Sequence, residues 1–250
     1  MVRTLLVRGM LVGIVAGLLS FGFLKVYGEP EVAVAIAFET QQNLAKESSA
    51  NPNGTPGEHH DELVSRNVQA GLGLFTAVMV YCTAFGGLFA LAFAFAYGRT
   101  PGVFTPQAAS LLLAAAGFVA VYLVPSLKYP ANPPSVGDPQ TIGMRTALYF
   151  IMIAISIAAM IGAIAFKRLV VARFGDWHAT VIVATYYIAI VVIAGLLLPT
   201  VNEVPSDFPA VVLWKFRVAS IGAQFIMWAT FGVMFGAAAE RALAPRKVHA

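Results

Sequence analysis

Apolar residues do not alternate along this chain; they come in six long runs separated by short polar, proline-rich or basic segments. A helix that crosses a bilayer needs about 20 predominantly apolar residues, because lipid offers no partner for unpaired backbone groups. The runs predict spans at about 9–27, 68–97, 106–127, 146–166, 179–198 and 218–239. Val68 to Tyr97 holds no charge at all, enough for a tilted or extended helix, and Lys25 sits near the end of the first span, where a long stem snorkels to the interface. The reading is an all-α integral membrane protein, one membrane domain over 1–250, with six transmembrane helices and both termini on the same side. Residues 28–67 form its long outer loop. There Pro30 opens an interfacial helix over Glu31–Lys46, and Ser48–Gly57 is a flexible linker rich in small residues.

Composition agrees. Of 250 residues, 59% are hydrophobic and 11% are charged, less than half the usual charge of a soluble domain. That excludes a soluble enzyme, a disordered regulator and a disulfide-stapled module. The net charge of +4 does not mark a nucleic-acid partner, because the basic residues lie mostly at the ends of apolar runs; the partner surface is the lipid bilayer. With the amino terminus cytoplasmic, the inner segments carry +7 and the outer segments −3, and six of the nine inner cations fall in two tight clusters. Both termini are therefore read as cytoplasmic. A cleaved signal peptide is disfavoured: no small-x-small site follows the apolar core directly, and Ala35-Ile36-Ala37 comes only after Lys25, Glu29 and Glu31. The first span instead carries Gly9, Gly13 and Gly17, a stripe suited to close helix packing.

The third and fifth spans end alike. Val124-Pro125-Ser126-Leu127-Lys128 aligns with Leu198-Pro199-Thr200-Val201-Asn202, and each leads into a proline-containing outer loop before an arginine, Arg145 or Arg217, near the next span. Glu29-Pro30 and Arg66 form a looser version around the first loop. The pattern predicts three helical hairpins inserted in one orientation, a parallel pseudo-repeat. It should bring the two proline loops to one rim, with Arg145 and Arg217 pairing some acids and Glu203 left free to meet a cation.

No acid, base or histidine sits mid-span, which disfavours a carrier that relays protons through a buried carboxylate. Thr185, Tyr187, Gln224 and the other polar residues within spans read as helix contacts. The chemistry lies outside. His59, His60, Asp61 and Glu62, with Glu39 and Glu58 from the same outer loop, offer imidazole and carboxylate donors suited to cobalt, nickel or zinc. Asp138, Glu203 and Asp207 add carboxylates on the proline loops. Adjacent residues on a helix point about 100° apart, so the histidine run alone does not make a complete metal site. Cys82 is the only cysteine, so neither a disulfide nor a thiolate cluster forms within the chain. The sequence holds no His-Glu-x-x-His pair, no Gly-x-Ser-x-Gly elbow and no phosphate-binding loop, so it is read as neither an enzyme nor the ATPase of a pump.

Pro125-Ser126-Leu127-Lys128-Tyr129-Pro130-Ala131-Asn132-Pro133-Pro134-Ser135-Val136-Gly137-Asp138, then Thr141-Ile142 and Arg145, resembles the cobalt transporter subunit family CbtA. So do Leu198-Pro199-Thr200-Val201-Asn202-Glu203-Val204-Pro205 with Leu213-Trp214-Lys215-Phe216-Arg217, and the opening Leu6-Val7-Arg8-Gly9-Met10 through Gly28-Glu29-Pro30. The resemblance implies a multi-pass protein of the bacterial inner membrane, linked with cobalt uptake for cobalamin synthesis. Cobalt is then the transported ion, with no stably bound cofactor. It also implies a separate single-span partner with a histidine-rich terminus that supplies metal ligands. Lys128, Asn132, Asp138, Arg145, Asn202, Glu203, Asp207 and Arg217 match the motif and become functional candidates. The competing reading is a non-transporting scaffold that anchors the metal-binding partner.

Overall fold

The computed structural model describes residues 1–50, 64–99, 103–134 and 136–244, without the side chains of 46–50. Among these the chain is helical throughout, apart from loops and turns. Five continuous helical stretches are long and apolar enough to cross a membrane: Val2–Tyr27 (α1), Arg66–Tyr97 (α3), Pro106–Lys128 (α4), Pro139–Leu197 and Ala210–Leu243 (α7). Glu29–Ala50 forms a further helix, α2, with Pro30 in its first turn, where a missing N–H costs nothing. Leu196 and Leu197 are each 80% exposed, an arrangement that suits lipid and not water.

The fourth stretch is not one rod. Ile142–Leu197 would span about 85 Å if straight. At Gly175, however, φ is +73°, a left-handed conformation that glycine adopts without a Cβ penalty. The two arms, 142–174 (α5) and 176–197 (α6), fold back on each other. Ser156 and Tyr187 hydroxyls meet at 2.8 Å, although 31 residues of straight helix would separate them by about 46 Å. The charged segment between the fourth and fifth predicted runs thus stays helical almost throughout, and the turn is essentially one glycine.

The described residues divide into two compact units. The first holds 1–115, 132–135 and 206–250; the second holds 116–131 and 136–205. In the first, the glycine stripe of α1 has found its partner. A Cβ on Gly9 or Gly86 would strike the backbone carbonyl of the other, and one on Gly13 would lie 2.8 Å from the Cα of Thr83. The backbones of α1 and α3 therefore touch, the geometry that small residues permit. Deeper in the unit, Phe89 packs edge-on against Phe235 at 5.4 Å and beside Phe231 and Trp228. In the second unit, Val124, Met152, Ala159, Ala163, Val183 and Tyr187 make the core.

Three spans contain a π-helical turn: 69–73 in α3, 118–123 in α4 and 231–235 in α7. Such turns release carbonyls from the regular ladder, and neighbours supply donors. The Lys25 ammonium donates to the Ala70 carbonyl at 2.9 Å, and the Ser110 hydroxyl to that of Phe231 at 3.3 Å. The milder polar residues also work as helix contacts: the Thr185 hydroxyl donates to the Val181 carbonyl, and the Gln224 amide reaches the Tyr81 hydroxyl.

Candidate functional site

The proline loops are built by local turn chemistry. Asp138 caps the short turn Pro139–Thr141, its side chain accepting from the Gln140 N–H at 2.8 Å while Pro139 takes the first position. Gly137 precedes it at φ +122°; a Cβ there would lie 2.8 Å from the guanidinium carbon of Arg145. Thr141 and Arg145 stand four residues apart, so both side chains leave one helix face. That face receives Glu203 from the other proline loop.

Glu203 is the centre of the cluster that joins the second unit's proline loops. One carboxylate oxygen accepts from the Thr141 hydroxyl at 2.6 Å; the other accepts from the Asp138 N–H at 2.7 Å and lies 3.4 Å from Arg145 Nε. Arg145 also donates to the Asp138 carbonyl at 3.3 Å. Two further contacts tie the same loops: the Lys128 ammonium to the Thr200 hydroxyl at 3.1 Å, and the Tyr129 hydroxyl to the Pro199 carbonyl at 2.8 Å. The expected meeting of loops is therefore present, but the expected free carboxylate is not. Glu203 is held by three partners, Thr141, Asp138 and Arg145, because the two proline loops close on each other.

The Thr141 hydroxyl and the Asp138 N–H, then Arg145, hold the Glu203 carboxyl below its ordinary value near 4.5, against the desolvation that would raise it. A depressed folded-state pKa gives stability that is complete above the unfolded value and is lost as pH falls through the folded one. The protection of residues 198–205 against hydrogen exchange, taken relative to the intrinsic rate at each pH, should therefore be unchanged from neutral pH to about 5 and fall only below the ordinary carboxylate range. Loss of protection between pH 7 and 6 would contradict this role for Glu203.

The first unit engages its loop acids in the same way. Glu29 pairs with Arg66, and Glu31 lies 3.6 Å from the Lys215 ammonium. Asp207 accepts from the Gln42 amide at 2.6 Å, and Phe38 meets Phe208 edge-on at 5.1 Å, so α2 is docked on the start of α7. Arg217 donates to Asn132 at 2.8 Å. Of the sequence-predicted candidates, Asp138, Arg145 and Glu203 come together; Asp207, Asn132 and Arg217 belong to the other unit. Glu39 and Asn202 are exposed. His59, His60, Asp61 and Glu62 lie outside the described residues. Among the described residues no three His, Cys, Asp or Glu gather as a metal centre. Gln42 carries no sequence signal for its role. Thr141 stands within the recognised loop pattern, yet only the fold reveals what it grips.

A family model described as "Probable cobalt transporter subunit (CbtA)" matches residues 2–240. No curated protein and no solved structure matches the chain.

Proposed function

The chain belongs to the family of probable cobalt transporter subunits (CbtA), and from that premise we propose that it takes up divalent cobalt across the bacterial inner membrane in support of cobalamin synthesis. It is a multi-pass membrane protein of a transporter family, not an enzyme family. In this reading six helices cross as three hairpins, α1 with α3, α4 with α5, and α6 with α7, and both termini are cytoplasmic. A small single-span partner with a histidine-rich terminus completes the metal path. His59, His60, Asp61, Glu62 and the exposed Glu39 meet the ion, whereas Asp138, Glu203 and Asp207 shape the mouth.

The observation that carries this division is the engagement of the rim carboxylates. Glu29, Glu31, Glu203 and Asp207 each hold a partner within the protein. A carboxylate that must bind and release a cation cannot also be the clasp of its own loop without opening it. Imidazole-rich donors on a partner, or on the 59–62 run, suit a first-row divalent ion better. The same engagement favours a second reading, a scaffold that anchors the metal-binding partner without transporting.

Cobalt accumulation in cells separates the two. Under the transport reading, this chain alone raises accumulation above that of cells lacking it, and the partner raises it further. Accumulation equal to background without the partner would support the scaffold; accumulation by the partner alone, unaffected by this chain, would overturn both. Orientation has its own test. A reporter fused after Arg173 should be cytoplasmic and one after Gly54 or Pro205 external, because lysine and arginine cluster at the inner ends. A cytoplasmic signal at Gly54 would reverse the assignment of the metal-facing side.

A further inference from the structure

The tip of the α5–α6 hairpin combines two kinds of side chain that a purely structural turn does not need. Arg168 and Arg173 are exposed, and among the described residues neither lies within ion-pair distance of a carboxylate; Asp176 is taken by Lys167 at 3.0 Å. Interleaved with them, Leu169 is 77% exposed, Phe174 46% and Trp177 75%. Cations in the last turns of α5 suit the negative end of its dipole, but this does not explain the exposed apolar residues beside them. An exposed tryptophan, large apolar neighbours and two guanidinium groups without a carboxylate partner among the described residues, that of Arg173 5.5 Å from the Phe174 ring, together match the boundary between acyl chains and phosphates.

We propose that this tip is a binding site for anionic phospholipid headgroups. Arg168 and Arg173 bind the phosphate, guanidinium being suited to two parallel hydrogen bonds to its oxygens. Leu169, Phe174 and Trp177 insert beside the acyl chains. Gly175 makes the site by ending α5 abruptly, so residues on both arms face one interface. A water-facing protein partner would not need this insertion, and the proposal holds whichever leaflet the tip occupies.

The test uses the full chain in phosphatidylcholine nanodiscs doped with brominated phosphatidylglycerol or, in parallel, brominated phosphatidylcholine. Emission from Trp177 is taken as the difference from a Trp177→Phe protein. Phosphatidylglycerol should quench as though enriched at the tip, by roughly fivefold for each arginine. Arg168→Gln with Arg173→Gln should abolish the excess. Arg99→Gln should leave it intact, since that guanidinium lies over the Phe95 ring at 3.5 Å, in the other unit. Equal quenching by the two lipids, an excess that survives the double substitution, or no quenching by either lipid would each overturn the site. The comparison of lipids on the unaltered protein decides the matter even if the double variant folds poorly.

Discussion

Gly86→Val should yield little or no folded protein, while Gly22→Val behaves as the parent. The Cβ of the first would enter the Gly9 carbonyl and lie 3.0 Å from the Cα of Gly13, so relief requires the α1 and α3 backbones to separate. Overpacking a well-filled interior costs about 1–3 kcal/mol, and contact with backbone in place of a flexible side chain puts this case at the upper end. Separation would also forfeit the close packing along Gly9, Gly13 and Gly17, which is what holds helices together where lipid removes the hydrophobic drive. Gly22 faces open space, with no atom within 4 Å of its Cβ position. Size-exclusion profiles and melting temperatures of the extracted proteins distinguish the two. A monodisperse Gly86→Val protein melting with the parent would mean that the helices do not cross there.

Glu203→Gln should loosen the second unit's proline loops and lower the melting temperature by several degrees. The replacement keeps one acceptor for the Asp138 N–H, and its amide can donate to the Thr141 hydroxyl, which turns its own proton to the Asp138 carbonyl; what it removes is the charge beside Arg145. Hydrogen bonds to an ionised acceptor are stronger than neutral ones, so losing the charge weakens the loop contacts as well as the ion pair. Arg145 stays within reach of the Asp138 carbonyl, so the arginine keeps part of its anchorage. Hydrogen exchange should quicken in residues 198–205 and around 138–141 while the Ser156–Tyr187 contact in the hairpin remains protected. Uniform loosening of the whole unit, or none, would contradict the clasp.

Much of the fold was legible. Apolar runs locate the spans because lipid imposes one requirement on every backbone group, and length alone then identifies a crossing helix. Pro30 announces α2, and the glycine stripe of α1 announces a close contact. Its partner on α3 is not legible, since Gly86 and Gly87 sit in a run whose composition would suit several faces. The π turns leave no trace in apolar spacing; they depend on donors such as Lys25 and Ser110 from other helices. α7 begins at Ala210, ahead of the predicted 218, because Lys215 and Arg217 find Glu31 and Asn132 and so are tolerated within a helix. The candidate site was legible as a pair of loops and misjudged in one role. Glu203 looked free because its partners stand 62 and 65 residues away, joined by turns whose closure no local pattern specifies.

Cobalt uptake divided by the amount of folded protein is the measurement that bears most directly on the division between bracing and metal-binding residues. Glu203→Gln should lower uptake only in step with folded protein, leaving the ratio close to the parent's. His59→Ala with His60→Ala should leave folded protein unchanged and reduce the ratio, in cells that also make the proposed partner subunit. A normally folded Glu203→Gln protein whose ratio collapses, with the histidine pair dispensable, would contradict the account and return Glu203 to the ion's path.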